Sequence, residues 1–233
     1  DMEGSQLSRA VKSALRECQE RKIDCLGELA YLIGIASCRI GRNDSAIVWF
    51  EKSLLQLEEK RKIFSDREAE KGRKGPSDEN WDILDMDVGY CEHALGLAHF
   101  YNNQLTPATA HYRESLRLFE AVAARRKGRQ NFVQQGGELA EHKPAQQKSE
   151  QRKVELDIFI NSAIAGAMLS LGVLYHEQQK NDRARRFLEG AIQIVYSTTH
   201  RILSSPRGAI LLIPSVTGFS DLSLVVSVVR VGD

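Results

Sequence analysis

The chain has 233 residues, of which 42% are hydrophobic, and a formal net charge of +1. That is enough apolar content for one or two cores and too little net charge to argue for nucleic acid or an anionic membrane. The Asp-Met-Glu-Gly start carries no basic-then-apolar signal run, and no stretch reads as a membrane span of roughly 18–20 apolar residues. An intracellular, cytoplasmic setting is the expectation. Cys18, Cys25, Cys38 and Cys91 form no C-x2-C pair, which predicts reduced, packed thiols.

In chain order, Ser5–Arg21 places Leu7, Val11, Ala14, Leu15 and Cys18 on one helical face. It reads equally as half of an incomplete repeat or as a capping helix. Cys25–Ile40 is predicted as a helix ended by Gly41, and Asn43-Asp44-Ser45 caps the next. That second helix starts at Ser45 or Ala46, runs past Leu57 and enters EEKRKIFSDREAEKGRKG, which reads as a solvated extension ended by Gly72, Gly75 and Pro76. Ser77–Asn80 starts another helix, with Trp81, Leu84 and Val88 leading into a hairpin at Gly89–Glu120. In that hairpin Leu95, Gly96, Leu97, Ala98 and Phe100 precede an Asn102-Asn103-Gln104 turn. Thr106-Pro107 then opens a helix with Ala108, Tyr112, Ser115, Leu116 and Phe119 on one face.

This helix is expected to continue through Ala121–Arg126. The glutamine-rich stretch that follows, with Gly136-Gly137 and Pro144, reads as an insertion or mobile loop. Helix resumes near Glu150 and runs to about Gln179, Asn181-Asp182 turns the chain, and Arg183–Tyr196 is helical. Beyond His200, the Ser204–Gly208 breakers, AILLI and SLVVSVVRV suggest two short strands or an extended apolar tail. Such a tail would need cover from its own chain or another.

Three glycines set a common register. From Gly34, fixed offsets reach Ala46, Phe50 and Ser53; from Gly96, Ala108, Tyr112 and Ser115; from Gly172, Ala184, Leu188 and Ala191. A glycine inside a helix costs about 1 kcal/mol against alanine, so close approach of a neighbouring helix is the predicted reason for each. This spacing resembles the tetratricopeptide repeat (TPR), with its L-G-x2-Y and A-x3-F pattern on a helix-turn-helix of about 34 residues. Ser37 and His99 depart from it, no proline closes a unit, and the glycines lie well beyond one period apart.

The resemblance covers residues 26–57, 88–120 and 163–196, with insertions at 58–80 and 121–155. It implies an all-α, TPR-like α-solenoid of antiparallel helix pairs with extended helices over 1–200, followed by an irregular or β-like tail at 201–233. Gly34, Ala46, Phe50, Gly96, Ala108, Tyr112, Gly172, Ala184 and Leu188 are its implied packing positions.

No motif predicts catalysis: phosphate-loop, H-E-x-x-H, G-x-S-x-G and dinucleotide signatures are missing. The six histidines are scattered. Cys91 and His93 are two apart on a helix and so face apart, as do Asp85 and Asp87, and His176-Glu177 reads as a solvated helix end. No cofactor, metal or enzyme activity is expected.

The resemblance further implies a concave groove lined by the first helix of each unit. Its positions are Glu28, Tyr31, Ile35, Cys38 and Arg39; Tyr90, His93, Leu97, Phe100 and Tyr101; and Gly166, Leu169, Val173, His176 and Glu177. This lining is apolar and aromatic, suited to an amphipathic helix or an extended hydrophobic segment, unless the chain fills it in cis. Tyr31, His93 and Leu97 replace the basic and amide groups of the carboxylate-holding TPR proteins. The expected function is a non-catalytic protein–protein interaction scaffold, a structural subunit of a larger intracellular assembly. The alternatives are a transient adaptor for a helical or linear motif, and an RNA-associated protein using Arg125, Arg126, Lys127 and Arg129. Nucleic acid is the less favoured partner.

Overall fold

The computed structural model describes residues 26–70, 79–135 and 144–203. They form six α-helices: α1 (Leu26–Arg39), α2 (Asn43–Glu70), α3 (Glu79–Tyr101), α4 (Leu105–Gln135), α5 (Pro144–Glu177) and α6 (Asn181–Leu203). No strand occurs among the described residues, which are all-α and built of antiparallel helix pairs. The expected helix at Ser5–Arg21, the breakers Gly72, Gly75 and Pro76, the Gly136-Gly137 break and the apolar stretches after Ser204 lie outside the described residues. The chain divides into two compact units, residues 1–122 with 177–179, and residues 123–176 with 180–233.

The pairs α1–α2, α3–α4 and α5–α6 turn in the same way. At one common offset from Gly34, Gly96 and Gly172, the backbone enters the left-handed region at Gly41 (φ 73°), Asn103 (φ 58°) and Gln179 (φ 59°). The following amides then reach back: Arg42 N–H donates to Ser37 O (2.9 Å), Gln104 N–H to His99 O (2.9 Å) and Lys180 N–H to Tyr175 O (2.8 Å). This is the Schellman closure, which satisfies carbonyls that a helix end would leave open. The second helix starts directly against it, with Ala46, Ala108 and Ala184 donating to the carbonyls of Arg42, Gln104 and Lys180 at 3.0, 3.1 and 3.0 Å.

Only the first of these turns has glycine at the left-handed position, where an ordinary residue costs about 1–2 kcal/mol. Replacing Gln179 by glycine is therefore expected to stabilise the third turn by about 1 kcal/mol. A urea titration of Gln179→Gly beside the parent measures this, and no gain would count against the turn geometry.

The helical glycines let paired helices close together. A Cβ on Gly96 would stand 2.6 Å from the Tyr112 ring, one on Gly89 2.5 Å from Phe119, and one on Gly172 2.7 Å from Leu188. On Gly34 it would enter the Phe50 ring. Ala46, Phe50 and Ala108 are 0% exposed, Tyr112 1% and Ala184 4%, while Leu188 is half-buried.

In the first unit, Ala46 and Phe50 of α2 form a core with Cys91, Ala94, Leu95 and Ala98 of α3, and Tyr31, Ile35 and Leu54 lean on it. The Cys91 thiol donates to Phe50 O at 3.2 Å. Asn102 bonds Asp44 at one end of the α2–α3 pair, and Arg61 meets Asp85 at 3.1 Å toward the other. Phe64 packs edge-on against Trp81 at 5.0 Å between centroids, and Glu68 is buried. The charged end of α2, expected to be a solvated extension, is thus partly packed: Phe64 meets Trp81 in the first turn of α3, while Ile63 and Ala69 stay exposed.

The wide spacing of the glycines comes from helix length, since α2, α4 and α5 have 28, 31 and 34 residues. Much of the expected 127–151 loop is helical, through Gln135 and again from Pro144. Glutamine, arginine and lysine are good helix formers, and a proline is tolerated in a first helical turn.

In the second unit, the Arg126 Nε–H and the Gln130 amide of α4 both donate to Asp157 of α5, each at 3.2 Å. Along α5–α6, Gly190 receives the Met168 methyl, Tyr175 stacks on Phe187 at 5.5 Å, and the Asn161 amide reaches Thr198 at 3.5 Å. Contrary to the sequence expectation, residues 153–177 of α5 are long and apolar enough to cross a membrane by length and composition. Small residues cause this: Ala163, Ala165, Ala167 and Ser170 carry no charge and are buried, and 61% of the apolar window lies inside the protein, as in a core helix.

Candidate partner-binding face

The outward stripes of α1 and α3 follow one helical spacing. On α1, Glu28 and Leu32 are exposed and Ile35 half-buried; on α3, Ile83 and Asp87 are exposed and Tyr90 half-buried. Residues at these spacings share a helix face. Leu32 is 61% exposed and Ile83 60%, so a partner that covered this face would bury apolar surface there.

The aromatic groups beside them are anchored from below. Tyr31 packs on Phe50 at 5.6 Å, Tyr90 on Phe119 at 5.0 Å and His93 on Tyr112 at 5.2 Å. Each groove aromatic therefore also braces the second helix of its own hairpin.

The charged groups feel one another. Burial, then Cys91 and Asp87, push the Tyr31 hydroxyl up to about 12. Burial raises the Tyr90 hydroxyl as well, helped by Tyr31 and Asp87. The Asp87 carboxyl is raised first by partial burial and then by Glu28, with Lys60 acting the other way. Two carboxylates on neighbouring helices thus share a surface with two neutral tyrosines.

The remaining expected groove positions fall as follows. Arg39 and Tyr101 are exposed, while Cys38 and Phe100 are half-buried. Leu97 is 8% exposed and belongs to the interior. On α5 Leu169 and Val173 are half-buried and His176 and Glu177 exposed, and a Cβ on Gly166 would meet open space. The sequence reading missed Leu32 and Ile83. Continuing the stripe one turn before Asp87, and reading Glu28 to its i+4 neighbour, would have found both.

In the basic cluster, Arg126 is 8% exposed and tied to Asp157 at 3.2 Å, while Lys127 is exposed. Among the described residues no three of His, Cys, Asp and Glu gather as for a metal. Burial pushes the Cys91 thiol up to about 12 and the Cys38 thiol up to about 11. A thiolate is the reactive form, so iodoacetamide at pH near 8 should leave both unmodified in the folded protein and label both in urea. Peptide mapping reads each cysteine, and native labelling of Cys91 would contradict the packing.

A tetratricopeptide-repeat family model matches residues 164–196. No protein of curated function matches the chain. A solved structure, BtubC (BKLC) from P. vanneervenii, is similar at 18% identity with a TM-score of 0.36, over 91% of this chain and 82% of that one. The matched segment contains Gly172, Tyr175, Ala184 and Leu188, and the same glycine-to-cap geometry stands in the other two hairpins. Residues 164–196 are thus similar to a tetratricopeptide repeat, and the two earlier hairpins repeat its turn geometry.

Proposed function

We propose that this chain is a non-catalytic protein–protein interaction scaffold and a fixed subunit of a larger intracellular assembly. The observation that carries this is the outward face of α1 and α3. Leu32 and Ile83 are 61% and 60% exposed there, on helices held rigidly by interlocked glycines and aromatics. Rigid elements lower the ordering cost of docking, and a helical repeat suits broad contact with another chain.

Native isolation from the source cells under gentle lysis, sized by gel filtration and identified by mass spectrometry, tests the reading. Recovery in one stoichiometric large complex supports it. A monomeric pool with several substoichiometric partners would sink it in favour of a transient adaptor. RNA at stoichiometric level in the eluate would instead favour a nucleic-acid role.

A further inference from the structure

Resting on the partner-binding reading of the α1–α3 face, we infer that its occupant is a basic amphipathic segment of another protein. Such a segment would set a lysine or arginine between two apolar anchors. Leu32 lies one turn beyond Glu28 on α1, and Ile83 one turn before Asp87 on α3. Both pairs expose an apolar side chain beside a carboxylate. Because α1 and α3 both run antiparallel to α2, the two apolar side chains sit on opposite sides of the paired carboxylates. From the helical rise and usual packing distance they stand ~15 Å apart, roughly ten residues of a docked helix.

The carboxylates call for a cation. Glu28 and Asp87 repel each other, and Lys60 offsets this in part. A partner cation placed between them relieves the repulsion while its stem lies over the rings of Tyr31 and Tyr90, which are braced on Phe50 and Phe119. Tyrosine faces attract cations, and long basic side chains cover apolar surface with their methylenes. The same carboxylates repel phosphate, so neither a nucleic acid backbone nor an anionic lipid surface fits this face.

The test is selection of helical peptides of about 16 residues on phage, panned against the full chain and against the Glu28→Gln/Asp87→Asn double variant. Selected peptides should carry lysine or arginine between two apolar residues. They should bind the double variant about tenfold more weakly at low salt, with the difference shrinking as salt screens it. Leu32→Asp should abolish their binding to either protein. Peptides that lack a central basic residue, or bind the double variant equally, overturn the inference but leave the docking face standing if Leu32→Asp still removes them. No selected binder on this face overturns both readings. Circular dichroism confirms that these surface substitutions leave the helices intact.

Discussion

Phe50→Ala is expected to cost about 3–5 kcal/mol, the usual range for deleting a fully buried phenylalanine. Domains are marginally stable, at about 5–15 kcal/mol, so the first unit would lose a large share of its margin. Phe50 is 0% exposed, fills the space above Gly34, and supports the Tyr31 ring. Its removal opens a cavity where α1, α2 and α3 meet. Hydrogen exchange followed by mass spectrometry should show lost protection in α1–α3, with little change in α6.

A milder pair isolates the glycine contact. Gly34→Ala forces a methyl into the Phe50 ring, and overpacking of this kind typically costs about 1–3 kcal/mol. Combining it with Phe50→Leu should recover part of that loss, because leucine already stands opposite Gly172 in the third hairpin. Strict additivity of the two changes would argue against the contact.

Asp157→Ala is the second large expected effect, at about 3 kcal/mol, because it leaves a guanidinium buried without its counter-charge. Arg126 is 8% exposed and depends on Asp157 for its Nε–H bond, while Gln130 donates to the other carboxylate oxygen. Replacing both charged partners, as Arg126→Met with Asp157→Leu, should restore most of the stability. Equilibrium urea unfolding of the single and double variants separates these outcomes. A single variant as stable as the parent would show that the pair contributes nothing. This pairing also bears on the basic cluster, since Arg126 serves the fold of the second unit.

The repeat register was legible in the sequence because it rests on small residues at fixed offsets. Gly34, Gly96 and Gly172 are small for a steric reason that their spacing from bulky residues already exposes, and Gly41 announces its turn. Asn103 and Gln179 take the same left-handed conformation without glycine, so only the backbone reveals that all three turns are one motif. Helix length was harder to read. The charged end of α2 looks solvated by composition, yet Phe64 and Arg61 have places against α3 and Glu68 is buried. Likewise the glutamine-rich run after Arg129 looks like a loop until its helix propensity is weighed.

The candidate face was half legible. Tyr31 and Tyr90 followed from the family register, but the register also selected Leu97, which is buried. Leu32 and Ile83 fall outside those offsets, and their exposure depends on how each helix is rotated against its neighbours. Along its own helix, the sequence offers Asp87 only Asp85 for comparison. Its relevant neighbour is Glu28, contributed by another helix, a relation that no sequence spacing contains.

We propose docking of another protein on the α1–α3 face as the role of this chain. The most direct measurement compares the native size of the full chain with that of a Leu32→Asp/Ile83→Asp variant, both expressed at source level. Both positions are about three-fifths exposed, at 61% and 60%, so the variant should fold with unchanged helicity and thermal midpoint. The account predicts that the parent elutes in a stoichiometric complex and the variant as free protein. Equal elution of the two, whether both complexed or both free, would contradict it.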